Sequence, residues 1–133
     1  MNRIIMFRDS NKDGEYENRY VYKTGLNQPF GMLVINNHFY VANTDALLRF
    51  PYNPNATSLS GDGEKLVDFP AGGYNNHWTR NLITNPQKDK IYISIGSASN
   101  NGEYGLHNEI RRANILEVNL DGSNEQIYAS GLR

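Results

Sequence analysis

Cysteine is absent from this sequence, and so is any long apolar run. Without cysteine the chain forms no disulfide bond, no thiolate zinc site and no cysteine nucleophile. No stretch of about 18 apolar residues occurs, so we expect no helix that spans a membrane. An excess of positive charge is also missing, because 13 basic residues face 14 acidic ones and the formal net charge is −1. A nucleic-acid partner would need a basic face, so we expect none.

Turn-forming and strand-forming residues are abundant instead. The 133 residues include 12 glycines and 9 tyrosines, and helix formers rarely recur at a helical period. This composition predicts an all-β fold of strands separated by turns. Ten segments of strand length lie between turn signals, at residues 3–8, 19–24, 31–35, 39–43, 46–50, 65–69, 79–84, 90–95, 115–120 and 126–129.

A faint internal repeat indicates how these strands are organised. Residues 39–43 resemble 91–95 at an offset of 52, and 25–27 resemble 131–133 at an offset of 106, about twice the first. A period of about fifty residues with four strands per unit is typical of a β-propeller blade.

The repeat divides the chain into about two and a half four-stranded antiparallel blades. We predict a half-blade at 2–26 and blades at 27–72 and 73–133. A closed propeller has at least about four blades, so we expect a fragment of a larger propeller. A complete ten-stranded sandwich is the alternative.

One segment near the start has the spacing of a calcium-binding loop. Asp9, Asn11 and Asp13 offer oxygen ligands at alternate positions, followed by Gly14, but Tyr20 stands where such a loop has a bidentate glutamate. The same string is typical of a hairpin turn, which is the simpler interpretation. The three residues are therefore weak metal candidates.

Three histidines are candidates for proton transfer near neutral pH. His38 follows a turn, and His107 lies in a long loop, so we expect both to be solvent-exposed. His77 lies among polar residues before a predicted strand, between Asn76 and Trp78, with Arg80 three positions on. There it would be accessible to a substrate, as a general base must be. From the spacing alone, however, a structural histidine bonded to a neighbouring carbonyl is the favoured interpretation.

Four segments together resemble the glucose/sorbosone dehydrogenase family, most closely its sorbosone dehydrogenase branch. They follow the family's order along nearly the whole chain: GLNQPFGM (25–32), YVANTDALLRFPY (40–52), NHWTRN (76–81) and SGLR (130–133). The resemblance implies a six-bladed β-propeller that uses pyrroloquinoline quinone (PQQ) with calcium. It also implies a sugar substrate, a separate electron acceptor and a periplasmic or secreted location.

The resemblance assigns roles to individual residues. His77 matches the catalytic histidine, a general base that takes the proton of the sugar hydroxyl as hydride passes to the quinone. Arg133 matches the arginine of an Arg-Asn-Pro motif that contacts the quinone. Residues 96–100, with Ser97, Ser99 and Asn100, match the loop that lines the substrate pocket.

The sequence also departs from the family pattern. Asn76 stands where the glucose dehydrogenases have an aspartate before the histidine, which removes a charge that would orient and tune it. We predict that Asn76 and Arg80 are supporting residues of the base. The sequence given ends at Arg133, so the asparagine and proline of the motif are not seen.

The leading hypothesis is a fragment of a PQQ-dependent sugar dehydrogenase acting on L-sorbosone or a glucose-like sugar. We expect no activity from the 133-residue chain by itself. The alternatives are a non-catalytic propeller that binds carbohydrate or protein, because a fold does not determine function, and a metal-dependent lactonase-type propeller.

Overall fold

The structure is a computed structural model that describes residues 2–132, and it is all-β. Every end of the ten predicted strands is confirmed to within one residue. A short 3-10 helix, Leu106–Glu109, lies in the loop of residues 96–113. No helix in this described range is long and apolar enough to cross a membrane. The strands are β1 Ile4–Arg8, β2 Asn18–Lys23, β3 Met32–Ile35, β4 His38–Ala42, β5 Ala46–Pro51, β6 Glu64–Asp68, β7 Arg80–Thr84, β8 Lys90–Ile95, β9 Asn114–Asn119 and β10 Gln126–Ser130.

The strands form three antiparallel sheets that follow chain order. Sheet A pairs β1 with β2, sheet B has the order β3-β4-β5-β6, and sheet C has the order β7-β8-β9-β10. Each four-stranded sheet is thus a simple meander, as in a propeller blade. The two-layer sandwich considered from the sequence is wrong, because the strands build three sheets. The arrangement matches part of a β-propeller.

The predicted units each contain one sheet. Sheet A lies within 2–26, sheet B within 27–72 and sheet C within 73–133. The boundaries themselves stay a prediction.

Sheet B lies between the other two sheets and is buried on both faces. On β4, Phe39 and Val41 cluster with Ile4 and Tyr22 of sheet A. The alternate residues of the same strand, Tyr40 and Ala42, cluster with residues of sheet C, including Ile91, Ile93, Leu116 and Val118. Burial on both faces explains why residues 39–42 are continuously apolar instead of alternating.

The sequence repeat corresponds to equivalent positions in the sheets. The similar segments 39–43 and 91–95 lie on β4 and β8, the second strands of sheets B and C. Gly25 and Gly131 each follow the last strand of a sheet, and both have φ of 73°. This left-handed conformation is the one that favours glycine.

A close approach of two backbones joins sheets B and C. The N–H of Gly31 donates to the carbonyl oxygen of Arg80 at 2.8 Å. A Cβ on Gly31 would lie 2.6 Å from that oxygen, so a side chain there would force the strands apart. The contact holds the start of β3 beside the start of β7 and fixes the end of the segment that carries His77.

Candidate functional site

An open cleft of about 450 Å³ lies where β8 ends and β9 begins. Its size is within the range of roughly 300–1,000 Å³ that is usual for small-molecule sites. Three of the predicted site residues, His77, Ser97 and Asn100, line it together. The other lining residues are Thr79, Ser94, Ile95, Gly96, Asn114, Ile115 and Leu132.

His77 is held against the loop that follows β8. Its backbone lies directly on Gly96, where a Cβ would come within 2.5 Å of His77 Cβ and 2.6 Å of its carbonyl oxygen. Its Nδ1 atom lies 3.0 Å from Ser97 Oγ and 3.1 Å from the Ser97 carbonyl oxygen. The side chain is otherwise exposed at the cleft.

These contacts determine which ring nitrogen of neutral His77 carries hydrogen. Ser97 Oγ lies 2.6 Å from the Ser99 carbonyl oxygen, which can only accept, so the single hydroxyl hydrogen of Ser97 points there. Toward His77 both oxygens of Ser97 therefore act as acceptors. Nδ1 must be the protonated nitrogen, which leaves Nε2 as the atom that can take a proton.

Arg80 supports the segment that carries His77 and does not approach the imidazole. Its side chain is fully buried. The Nη1 atom donates to the carbonyl oxygens of His77 at 2.7 Å and Thr79 at 3.1 Å. The Nη2 atom donates to the carbonyl oxygen of Pro70 at 3.0 Å. Burial, with a second contribution from the neighbouring Arg112, lowers the pKa of Arg80 to about 10.

Asn75 joins this segment to both sheets. Its Oδ1 atom accepts from Arg80 Nη2 at 3.1 Å and from Arg112 Nη1 at 2.6 Å. Its Nδ2 atom donates to Thr44 Oγ1 at 3.0 Å, at the end of sheet B. Arg112, only 6 % exposed, also donates to the Gly72 carbonyl oxygen at 3.2 Å. Two buried cations and one amide thus hold the backbone on either side of Asn75.

Two other predicted residues lie outside the cleft lining. Ser99 is fully buried, and its hydroxyl donates to Glu109 Oε1 at 3.2 Å and accepts from the Gly102 N–H at 2.9 Å. These two hydrogen bonds stabilise the conformation of the loop that follows β8. Asn76 is exposed, and its main-chain N–H donates to the Ala98 carbonyl oxygen at 3.1 Å.

Arg133, predicted to contact the quinone, lies outside the described residues. Its neighbour Leu132 lines the cleft, and the Leu132 N–H donates to the Ala113 carbonyl oxygen at 2.9 Å.

Asn114 is a cleft residue that the sequence analysis missed. It is 3 % exposed, and its Oδ1 atom has no hydrogen-bond partner. A signal for it exists in the sequence. On β9 the inward positions are Asn114, Leu116 and Val118, so Asn114 is the one polar residue at a core position of that strand.

The hairpin between β1 and β2 brings three carboxylates together, on sheet A rather than at the cleft. Oxygen atoms of Asp9, Asp13 and Glu17 lie within 4.8 Å of one another. Asn11 instead donates to Asp13 Oδ2 at 2.9 Å. Asp9 accepts the main-chain N–H groups of Lys12 and Gly14, at 2.6 and 2.9 Å, as in an ordinary turn.

The two remaining histidines stay away from the cleft lining. His38 is the half-buried first residue of β4, with its ring 6.3 Å from that of Tyr40. Instead of the expected solvated turn residue, it is a strand residue that remains partly exposed. His107 is exposed in the 3-10 helix, as predicted.

Comparison with known proteins finds similarity in structure only. No family model matches the sequence, and no curated protein sequence matches it. Three solved structures resemble it with TM-scores of 0.66. One is the holo form of the PQQ domain of pyranose dehydrogenase from Coprinopsis cinerea, which is 16 % identical to this chain. The match covers 84 % of this chain and 27 % of that one.

The other two are an iodide and a calcium structure of a Trichoderma reesei carbohydrate-active enzyme of family AA12. Both are 12 % identical to this chain. The match to the iodide structure covers 87 % of this chain, the match to the calcium structure covers 90 % of it, and each covers 30 % of the other protein's chain. The chain thus spans less than a third of the length of the structures it resembles. At this identity the likeness establishes the fold, and the fold is that of part of a propeller.

Proposed function

We propose that this chain supplies part of the active site of a PQQ-dependent sugar dehydrogenase, acting on L-sorbosone or a glucose-like sugar. The observation that carries the proposal is His77, exposed at a cleft with Nδ1 bonded to Ser97 and Nε2 left as the basic atom. The likeness to the PQQ domain of pyranose dehydrogenase supports it.

In the proposed reaction, His77 Nε2 accepts the proton of a sugar hydroxyl or of a hydrated aldehyde. The hydrogen on the same carbon leaves with its electron pair, and the carbon becomes a carbonyl. Bound PQQ supplies the two-electron acceptor for that hydride. Ser97 keeps the hydrogen on Nδ1 throughout, so its two oxygens stabilise the imidazolium that forms.

The cleft offers apolar and amide groups to a bound cofactor. Ile95, Ile115 and Leu132 give apolar walls, and Asn100 and Asn114 add amides beside His77. No lysine or arginine lines the cleft within residues 2–132. PQQ carries carboxylates and carbonyls, which a guanidinium binds well. We propose that Arg133, next to Leu132, supplies that charge.

The rest of the proposed protein follows from the resemblance. We propose a half-blade and two blades of a six-bladed propeller, with calcium in the intact protein, a separate electron acceptor and a periplasmic or secreted location. Among the described residues, the one group of three close carboxylates lies on sheet A and does not line the cleft.

A non-catalytic carbohydrate- or protein-binding propeller is the second candidate, and one observation favours it. The groups around His77 are neutral: Ser97 binds its ring, and Asn76 precedes it. A carboxylate would raise the basicity of the imidazole and stabilise its cation. The described hydrogen bonds of the His77 ring go to Ser97 and not to a carboxylate, which fits a cleft that binds sugar without oxidising it.

The test uses a longer protein that contains this chain, loaded with PQQ and calcium. We expect sugar-dependent reduction of an artificial electron acceptor, a loss of about 10²-fold or more in kcat for His77→Ala, and little change for His107→Ala. His107 is a matched control because it is exposed and does not line the cleft. A protein that binds no PQQ would refute the proposal, and sugar binding without turnover would favour the second candidate.

A further inference from the structure

We propose that Asn114 is a substrate-binding residue whose carboxamide hydrogen-bonds a hydroxyl group of the sugar. The inference rests on the proposed function and extends it to a residue that neither the repeat nor the family resemblance singled out.

The first argument is an unsatisfied buried acceptor. Asn114 is 3 % exposed, and its Oδ1 atom has no partner in the structure. Leaving a buried amide oxygen without a hydrogen bond is costly, so such groups in folded proteins almost always have a partner. A ligand in the cleft would provide that partner.

The second argument is the position of Asn114 relative to His77. Asn114 is the first residue of β9 and pairs directly with Ile95, the last residue of β8. The next two residues after Ile95 are Gly96, on which His77 lies, and Ser97, which binds its ring. The amide and the imidazole thus line one cleft, and paired strands hold them in place.

The third argument is the chemistry of the missing partner. An unpaired oxygen needs a hydrogen-bond donor. PQQ presents almost entirely carbonyl and carboxylate oxygens, which accept. A sugar hydroxyl carries the hydrogen that Asn114 Oδ1 needs. The partner is therefore assigned to the substrate and not to the cofactor.

A second asparagine provides a matched control. Asn43 is 6 % exposed and its Oδ1 atom is also unpartnered, but it does not line the cleft. A general effect of removing a buried amide would appear in both variants. An effect on substrate would appear in one.

The experiment compares Asn114→Ala and Asn43→Ala in a PQQ-loaded protein that contains the chain. Loss of one neutral hydrogen bond to substrate predicts a KM increase of roughly 2- to 10-fold for Asn114→Ala, with kcat and PQQ affinity nearly unchanged. Asn43→Ala should keep the wild-type KM. A set of monodeoxy sugars then identifies the hydroxyl, because removing it should weaken the wild type but not Asn114→Ala.

Three outcomes would overturn the inference: an unchanged KM in Asn114→Ala, an equal increase in Asn43→Ala, or equal deoxy-sugar penalties in wild type and Asn114→Ala. If sugar binds but is not oxidised, the proposed function fails while Asn114 is still tested. In that case the ratio of dissociation constants of the variant and the wild type, measured by isothermal titration calorimetry, replaces KM. No sugar binding at all would refute both.

Discussion

Replacing Arg80 with methionine should destabilise the protein and release the segment that carries His77. Methionine keeps most of the aliphatic length of arginine but has no donor. The change removes four hydrogen bonds, to the carbonyl oxygens of Pro70, His77 and Thr79 and to the Oδ1 atom of Asn75. Asn75 keeps Arg112, but the three carbonyl oxygens depend on new contacts with water.

The magnitude follows from opposing contributions. Four hydrogen bonds at about 1 kcal/mol each give a loss of about 4 kcal/mol. Part of this is recovered, because burial and the Arg112 charge already disfavour the Arg80 cation, as its pKa of about 10 shows. We therefore expect the free energy of unfolding to fall by about 2–3 kcal/mol, a large share of the roughly 5–15 kcal/mol usual for a domain.

Urea unfolding of the two proteins measures the difference. With an m-value of about 2 kcal/mol/M, the midpoint for Arg80→Met should fall by roughly 1–1.5 M while m stays constant. Arg19→Met, an exposed change on β2, is the control and should shift stability by less than about 0.5 kcal/mol. A loss for Arg80→Met no larger than for this control would show that water replaces the guanidinium at no cost and would refute the reasoning.

Two further changes test the environment of His77. Gly96→Ala should lower the free energy of unfolding by about 1–3 kcal/mol and abolish sugar oxidation, because the new Cβ would overlap His77. Gly72→Ala is the control, since the space around its Cβ is open, and it should change neither the stability nor the activity. Urea unfolding and activity assays measure both effects. In Ser97→Ala the main-chain carbonyl oxygen of residue 97 still accepts from His77 Nδ1. The ¹⁵N chemical shifts of the ring should therefore show neutral His77 protonated on Nδ1 in the wild type and in the variant. An Nε2–H form in the wild type would contradict the assignment.

The strands could be predicted because their pattern is local. On β8, Ile91, Ile93 and Ile95 point to the core while Tyr92 and Ser94 do not, and this alternation is visible in the sequence. On β4 the alternation disappears, since both faces are covered, yet the short apolar run between turn residues still predicted a strand. The repeat worked because β4 and β8 occupy equivalent places in their sheets.

The site was harder to predict because its contacts join distant parts of the chain and use main-chain atoms. The position of Arg80 three residues after His77 predicted a guanidinium near the ring, but its partners are three carbonyl oxygens and Asn75. Carbonyl oxygens are present at every position, so no residue pattern reveals which of them will need a donor.

The serine loop shows the same difficulty. Ser97 and Ser99 are two residues apart, and the sequence predicts that both line the substrate pocket. In the structure Ser97 binds the His77 ring, whereas Ser99 binds Glu109 and is buried. Asn114 was the reverse case. The sequence shows a polar residue at an inward position of β9, but only the structure shows that this residue lines the cleft.

The His77 ring and the main chain that carries it are held by different groups. The two acceptors on Nδ1 are uncharged oxygens of Ser97, and the positive charges of Arg80 and Arg112 are directed to main-chain oxygens and Asn75. Arg80 and Arg112 thus fix the main chain on either side of Asn75, whereas Ser97 orients the His77 ring.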